Sequence, residues 1–160
     1  MANNKDELKP VPVRRRSASR VAAIQVMYQA IMSEKSVLEC APYYLQHYAA
    51  DVSKSFRVKD LDHEHFNALH AGMEAKTAEL DAEIAACLSE GWTLDRLTTI
   101  ERAVLRAGTY ELRMMPHIPA RAAVSEYASI SDSCGCDVPF VNAVLDRVAR
   151  AARVVEMGSC

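Results

Sequence analysis

Apolar residues recur every three or four positions along most of this chain, and this spacing limits the fold more than any other feature. The clearest run follows Asp62, which can cap a helix, and continues until Gly91. Its apolar members are Phe66, Leu69, Met73, Leu80, Ile84 and Leu88. Side chains at this spacing share one face of an α-helix, whereas a half-buried strand alternates apolar and polar residues. The pattern predicts one helix over 62–90, in which the apolar run itself covers about six turns.

Similar apolar stripes predict the other helices. The first begins at Ser17 or Ser19, either of which can cap it. A short second helix covers about 42–50, and a loop follows at 51–59. Three further stripes lie beyond Gly91, and no long alternating run predicts a strand. The sequence therefore predicts an all-α fold, a compact bundle of six or seven helices.

The length of 160 residues suits one domain with its own core. Residues 1–16 are polar and contain two prolines, which predicts a mobile basic arm. A single helical domain then covers 17–156, with sub-bundles of about 17–90 and 92–156. Residues 157–160 form a tail.

Charge is distributed unevenly along the chain. Residues 1–20 contain six Lys or Arg against two acidic residues, whereas residues 60–90 contain eight acidic residues against Lys76. The formal net charge of −2 conceals this difference. A basic end beside an acidic body favours a polyanionic partner such as nucleic acid, met through the N-terminal segment. A solvated basic tail has the same composition, so charge alone leaves both interpretations open.

No residue pattern in the chain is typical of an enzyme or a metal centre. The five cysteines are an odd number without a Cys-x-x-Cys pair, which favours free thiols in a reducing compartment. His63, His65 and His70 lack the spacing of a His-Glu-x-x-His zinc helix, so we expect no metal. There is no Gly-x-Ser-x-Gly motif and no phosphate loop. Without an apolar signal core or membrane span, we expect a cytoplasmic protein that is not an enzyme and uses no cofactor.

Four stretches, taken in their order and spacing, resemble the NusB transcription antitermination family over about residues 14–153. They are the arginine-rich start with Val26-Met27-Tyr28-Gln29, Trp92 through Arg96-Leu97, Glu101-Arg102-Ala103-Val104-Leu105-Arg106 with Tyr110-Glu111-Leu112, and Phe140-Val141-Asn142-Ala143-Val144-Leu145-Asp146. Ala143 stands where the family often has glycine. The segment Cys134-Gly135-Cys136 replaces a stretch that usually carries an aromatic residue. These departures concern local partner contacts more than the fold.

The resemblance implies an all-helical fold of two perpendicular bundles and a non-catalytic function. Family members bind single-stranded boxA RNA as a heterodimer with NusE, the small-subunit ribosomal protein that doubles as a transcription factor. That complex helps RNA polymerase to resist termination, chiefly on ribosomal RNA operons. Some members form homodimers that hide the RNA surface, and the sequence leaves this state open. The alternative is a helical protein–protein interaction scaffold without specific RNA binding.

Arg14, Arg15, Arg16 and Arg20 match the arginine-rich RNA-binding segment of the family. Guanidinium groups bind phosphate oxygens with two N–H groups and stack on unpaired bases, so these four are predicted RNA ligands. Tyr28 follows Arg20 by about two helical turns, and the family places its counterpart near the RNA. An exposed Tyr28 ring would stack on a base, whereas a ring inside the apolar stripe would belong to the core. Both interpretations are open.

Four residues of the C-terminal half complete the predicted RNA-binding site. Glu101 matches an acidic residue that lies at the RNA surface in the family. Alternatively, Glu101 only stabilises the start of a helix, where the helix dipole favours a negative charge. Asp137, Phe140 and Asn142 surround the start of the last helix, where backbone N–H groups attract anions. Phe140 can offer a stacking face and Asn142 can contact a base edge. Alternatively, Asp137 is a helix cap, Phe140 is an anchor in the core and Asn142 is a surface amide.

Overall fold

The structure is a computed structural model that describes residues 9–158. The helical elements within that range are named here in chain order. They are α1 (Val11–Ser33), α2 (Val37–His47), α3 (Ala49–Ser55), α4 (His63–Ala75), α5 (Thr77–Cys87), a 3₁₀ turn (Leu94–Arg96), α6 (Thr99–Met114), α7 (Ala120–Ser133) and α8 (Val138–Ala152). The all-α prediction is confirmed over the described residues. None of these helices combines the length and apolar character that crossing a membrane requires.

The chain divides into two compact units within α4. The N-terminal unit ends at Ala71, and the C-terminal unit begins at Gly72. The sequence placed this division near Gly91, twenty residues too late. The reason is that α5 packs against α6 and α8 and so belongs with the C-terminal helices. Its buried residues Leu80 and Ile84 supply that contact face.

Helix α1 begins at Val11, earlier than the predicted start near Ser17 or Ser19. The prediction of an arm is therefore wrong for residues 11–16, and residues 1–8 lie outside the described part of the chain. Pro10 is the N-cap and Pro12 lies in the first turn, where a missing N–H costs no helical hydrogen bond. The prolines that suggested a non-helical arm thus start the helix.

The single long helix predicted over 62–90 is two helices, α4 and α5. Asp62 caps α4 as predicted, since its Oδ1 accepts a hydrogen bond from the N–H of His65 at 3.1 Å. The break falls at Lys76, whose φ of −119° and ψ of 23° leave the helical region. The Thr77 hydroxyl donates to the carbonyl oxygens of Met73 (2.8 Å) and Glu74 (3.1 Å). A threonine that bonds to the preceding turn in this way bends a helix.

Two more boundaries differ from the sequence prediction in the N-terminal unit. Helix α2 starts at Val37 rather than near Pro42, because Ser36 Oγ accepts a hydrogen bond from the N–H of Glu39 at 3.1 Å. Helix α3 occupies most of the segment predicted as a loop at 51–59. Six or seven helices were predicted. The break at Lys76 and the presence of α3 bring the number of α-helices in the described residues to eight.

Polar side chains buried in the C-terminal unit fix α6 and α7. The Tyr127 hydroxyl donates to Glu111 Oε2 at 2.6 Å, and both residues are fully buried. Arg153 donates to backbone oxygens at the α6–α7 connection, including those of Leu112 (2.6 Å) and Ile118 (2.9 Å). A buried guanidinium requires such acceptors. Arg153 therefore holds the end of α6 and the start of α7 from the inside.

Candidate nucleic-acid interface

Arg14 and Arg15 tie the first turn of α1 to the segment that precedes α4. Arg14 Nη1 donates to the carbonyl oxygens of Phe56 (3.2 Å) and Arg57 (2.8 Å). Arg15 donates through Nε to Asp60 (3.1 Å) and through Nη2 to Leu61 (3.2 Å), again at backbone oxygens. Both side chains are half-buried. Each of these arginines thus stabilises the fold and keeps part of its charge at the surface of the N-terminal unit.

Arg20 is enclosed in the N-terminal unit. Residues 17–20 are all buried, so a complete turn of α1 is covered, and Arg20 itself is only 3% exposed. A phosphate cannot reach a guanidinium in this position. The structure therefore corrects the predicted RNA contact of Arg20, because the turn that follows Arg16 lies inside the unit and not on its surface.

Arg16 differs from its neighbours in its hydrogen bonding. The side chain is half-buried, and its Nε lacks a hydrogen-bond partner among the residues that the structure describes. A buried N–H of a cationic group is unfavourable unless an acceptor satisfies it. Arg16 is thus the arginine of this segment that most requires a further acceptor.

Tyr28 lies at the surface of α1, with 40% of its area exposed. Its neighbours Val26 and Met27 are buried, so Tyr28 flanks the apolar stripe and does not continue it. Of the two interpretations that the sequence left open, the exposed ring is the one that the geometry matches. The N-terminal unit therefore presents arginine side chains and an aromatic ring on one helix.

Glu101 and Asp137 both cap helices in the C-terminal unit. Glu101 Oε1 accepts from the N–H of Thr98 at 2.9 Å, while Thr98 Oγ1 accepts from the N–H of Glu101 at 3.2 Å, which forms a capping box on α6. Asp137 Oδ1 accepts from the N–H of Phe140 at 3.1 Å and caps α8. These geometries match the structural alternatives of the sequence analysis. The Thr98-x-x-Glu101 pattern is a sequence signal for this box that our sequence analysis missed.

Glu101 also lies close to the segment before α8. Burial raises the pKa of the Cys136 thiol to about 11, and the charges of Cys134 and Glu101 add to this shift. The thiol is thus held in its protonated, unreactive form at neutral pH.

Phe140 is half-buried against a residue to which the sequence analysis assigned no role. Its ring centroid lies 5.1 Å from that of Trp92, at an interplanar angle of 40°. Trp92 remains 42% exposed, and Cζ of Arg96 lies 5.1 Å from its ring centroid. These three side chains, Trp92, Arg96 and Phe140, form what we call the aromatic cluster. The lone tryptophan of the chain, four residues before an arginine, was the available sequence signal.

Asn142 points away from the aromatic cluster. Residues two apart in a helix project about 200° apart, so Phe140 and Asn142 flank the buried Val141 on opposite sides. Asn142 is exposed and lines a groove of about 300 Å³ with Arg121, Ser125 and Asp146. The predicted residues of this unit therefore occupy two faces: Phe140 lies in the aromatic cluster, and Asn142 lies in the groove between α7 and α8.

These features define a class of protein. It is a small all-helical protein in which arginine and aromatic side chains are exposed together, the combination that suits unpaired nucleic acid. A model of the NusB family matches residues 17–150. The chain belongs to the NusB family.

Individual relatives agree with the family match along nearly the whole chain. The transcription antitermination protein NusB of Sphingopyxis alaskensis is 36% identical over 140 residues, which cover 86% of this chain and 94% of that protein. The NusB of Rhodopseudomonas palustris is 34% identical over 155 residues, 92% of each chain.

Solved structures give the same fold. NusB from T. maritima superposes with a TM-score of 0.68 at 25% identity, covering 84% of this chain and 90% of that one. A structure of NusB and NusE in complex with double-stranded RNA matches with a TM-score of 0.69 at 23% identity, covering 86% of this chain and 98% of that one. At that identity the second match shows the fold alone.

Proposed function

We propose that this protein is a non-catalytic, RNA-binding transcription antitermination factor that binds boxA-type single-stranded RNA together with NusE. Membership of the NusB family and relatives aligned over most of their length support this function. The observation that carries it in this chain is that the half-buried side chains of Arg14, Arg15 and Arg16 lie on the same helix as the exposed ring of Tyr28. Phosphate oxygens accept hydrogen bonds from the parts of these guanidinium groups that remain at the surface.

The arginine side chains and the base-contacting side chains would have different roles in binding RNA. Arg14, Arg15 and Arg16 attract phosphates, which gives affinity without sequence preference. Tyr28 provides an exposed ring on which an unpaired base stacks. In the C-terminal unit, Phe140 adds a second aromatic contact, and Glu101, Asp137 and Asn142 offer carboxylate and amide groups to base edges. Sequence preference comes from these contacts.

NusE adds binding surface for the same RNA, so the heterodimer binds boxA more tightly than this protein alone. The pair acts within the RNA polymerase complex, on nascent ribosomal RNA in the cytoplasm. Such a role requires no chemistry on the RNA and no cofactor, and the protein is therefore not an enzyme.

A filter-binding titration tests this function. The protein, alone and with NusE, is titrated against a boxA-type RNA and against a scrambled strand of equal length and composition. We expect tighter binding to boxA, and a further gain with NusE. Arg16→Ala should weaken binding to both strands, while Arg150→Ala, which removes an exposed arginine on α8, serves as the charge-matched control. Equal affinity for the two strands would contradict sequence-specific recognition.

A protein-interaction scaffold is the second candidate, and exposed apolar residues of the N-terminal unit favour it. Leu38 and Tyr43 of α2 are 60% and 52% exposed, and Met32 of α1 is 61% exposed. Large apolar side chains that stay exposed are candidates for contact with a protein partner. If the Arg14→Ala, Arg15→Ala and Arg16→Ala triple variant binds RNA as the wild type does, with the same salt dependence, the scaffold becomes the better account.

A further inference from the structure

We propose that Trp92 is an additional RNA-contacting residue of the C-terminal unit and that its indole ring stacks on one unpaired base. This inference rests on the proposed function and deepens it, because it names a base-binding position outside the predicted set. The ligand is single-stranded RNA, and the contact is a stack on the ring.

The exposure of Trp92 is the first observation behind this inference. An indole carries a large apolar area, and its burial would favour folding. Here 42% of the residue stays exposed in the connection between α5 and α6, although Phe140 is close enough to contact it. The exposed part of the ring is therefore available to a partner, and it adjoins a predicted RNA ligand.

The connection that carries Trp92 is held at several points by arginine side chains. Arg96 Nη1 donates to the carbonyl oxygen of Gly91 at 2.7 Å, and Arg102 Nη2 donates to that of Leu94 at 3.0 Å. Arg147 on α8 donates through Nε to the carbonyl oxygen of Cys87 at 2.6 Å. Hydrogen bonds on both sides of Trp92 hold the backbone of this connection, so the connection need not become ordered when a ligand binds.

The groups around the Trp92 ring favour RNA as the partner of this surface. Arg96 is exposed and lies over the indole at 5.1 Å, a cation–π geometry that keeps its guanidinium beside the exposed ring. Nη1 donates to Gly91, and the exposed N–H groups of the same guanidinium are positioned to bind a phosphate. An aromatic face next to a guanidinium is the arrangement that binds a base and its own phosphate.

Because Trp92 is the sole tryptophan of the chain, its emission reports on this position alone. Wild-type protein is titrated with a boxA-type RNA, and fluorescence and filter binding are recorded on the same samples. We expect quenching that saturates with the filter-binding Kd. The titration is repeated with a series of RNAs, each of which lacks the base at one position. At one of these positions, we expect the RNA still to bind at high concentration but no longer to quench Trp92 emission.

Variants provide the second readout. Trp92→Ala should weaken RNA binding about tenfold, within the range for the loss of one stacked base, while Trp92→Phe should stay within about threefold of the wild type. Met114→Ala, which truncates another exposed apolar residue of the same unit, should leave affinity unchanged. Thermal unfolding of each variant checks that the fold is retained.

The outcomes separate this inference from the proposed function. RNA binding without a change in emission, together with wild-type affinity of Trp92→Ala, would overturn the role of Trp92 and leave the function intact. Absence of RNA binding by the wild type would overturn the proposed function and this inference together. Quenching by boxA and by the scrambled strand alike, with tenfold loss in Trp92→Ala, would retain the stacking contact and remove its sequence preference.

Discussion

The guanidinium of Arg14 donates a hydrogen bond to the backbone oxygen of Arg57 at 2.8 Å, which joins the first turn of α1 to the chain just after α3. Arg57 has a φ of 57°, a left-handed conformation that non-glycine residues seldom adopt. Arg14 therefore holds a bend that local preferences disfavour. Arg16, two residues later, has a buried Nε without such an acceptor among the described residues. Neighbouring arginines thus differ in what they contribute to folding and to binding.

The first prediction follows from this difference. Arg14→Ala removes the donor for three carbonyl oxygens, those of Lys9, Phe56 and Arg57, and should lower the free energy of unfolding by about 1–2 kcal/mol. Arg16→Ala removes no hydrogen bond that the structure records and should change it by less than about 0.5 kcal/mol. Urea unfolding followed by circular dichroism measures both. Equal destabilisation by the two substitutions would show that Arg14 has no special structural role.

The second prediction concerns Tyr28. Tyr28→Ala removes an exposed ring and should weaken boxA binding by roughly 5- to 150-fold, the equivalent of one stacked base. Tyr28→Phe keeps the ring and should stay close to wild type. Met32→Ala, an exposed residue one turn further along α1, is the matched control and should leave the Kd unchanged. If Met32→Ala weakens binding as much as Tyr28→Ala, the effect belongs to the helix surface in general.

The third prediction concerns pH. Glu156 accepts a hydrogen bond from the N–H of Ala120 at 2.5 Å and another from Arg153 Nη1 at 2.6 Å, and these bonds lower its pKa below the ordinary 4.5. A carboxyl whose pKa is lower in the folded state stabilises the fold above its unfolded pKa. That contribution disappears as the pH falls through the folded pKa.

Glu156→Gln should accordingly be less stable than the wild type at pH 7, and the difference in urea midpoint should shrink as the pH falls below 4.5. The measurement is a set of urea titrations between neutral and acidic pH. A difference that stays constant across this range would mean that the charge of Glu156 contributes nothing.

The fourth prediction tests the buried hydrogen bond between Tyr127 and Glu111. Tyr127→Phe deprives a fully buried carboxyl group of one donor and should destabilise the protein by about 1–3 kcal/mol. Tyr43→Phe changes an exposed tyrosine and should be neutral within about 0.5 kcal/mol. Thermal and urea unfolding measure both variants. Stability of Tyr127→Phe equal to that of Tyr43→Phe would contradict the role given to this bond.

The helical fold could be predicted because apolar periodicity is local information. The break at Lys76 could not, because Leu80 and Ile84 continue the same apolar stripe beyond it. The Thr77 hydroxyl bonds to the preceding turn at this break, and a threonine inside a helix does so in some contexts only. The start at Val11 was missed for another reason. The acceptors that hold Arg14 and Arg15 lie more than forty residues away in sequence.

The candidate site could be predicted in part. The arginine segment and Tyr28 lie on one helix, so their relation follows from sequence spacing. Burial of Arg20 depends on what packs around α1, and spacing does not contain that information. Trp92 was visible in the sequence, but its contact with Phe140 joins α8 to a distant connection. Contacts between elements remote in sequence therefore account for what was missed.

The central claim is that the start of α1 binds RNA through its arginine side chains, and the salt dependence of binding tests it most directly. For wild type and Arg16→Ala, the logarithm of the boxA association constant is measured against the logarithm of salt concentration. Each phosphate contact on a single strand contributes a slope of about −0.7. We expect the variant to have a slope shallower by about that amount, and Arg150→Ala to match the wild type. Parallel lines for wild type and Arg16→Ala would contradict the claim.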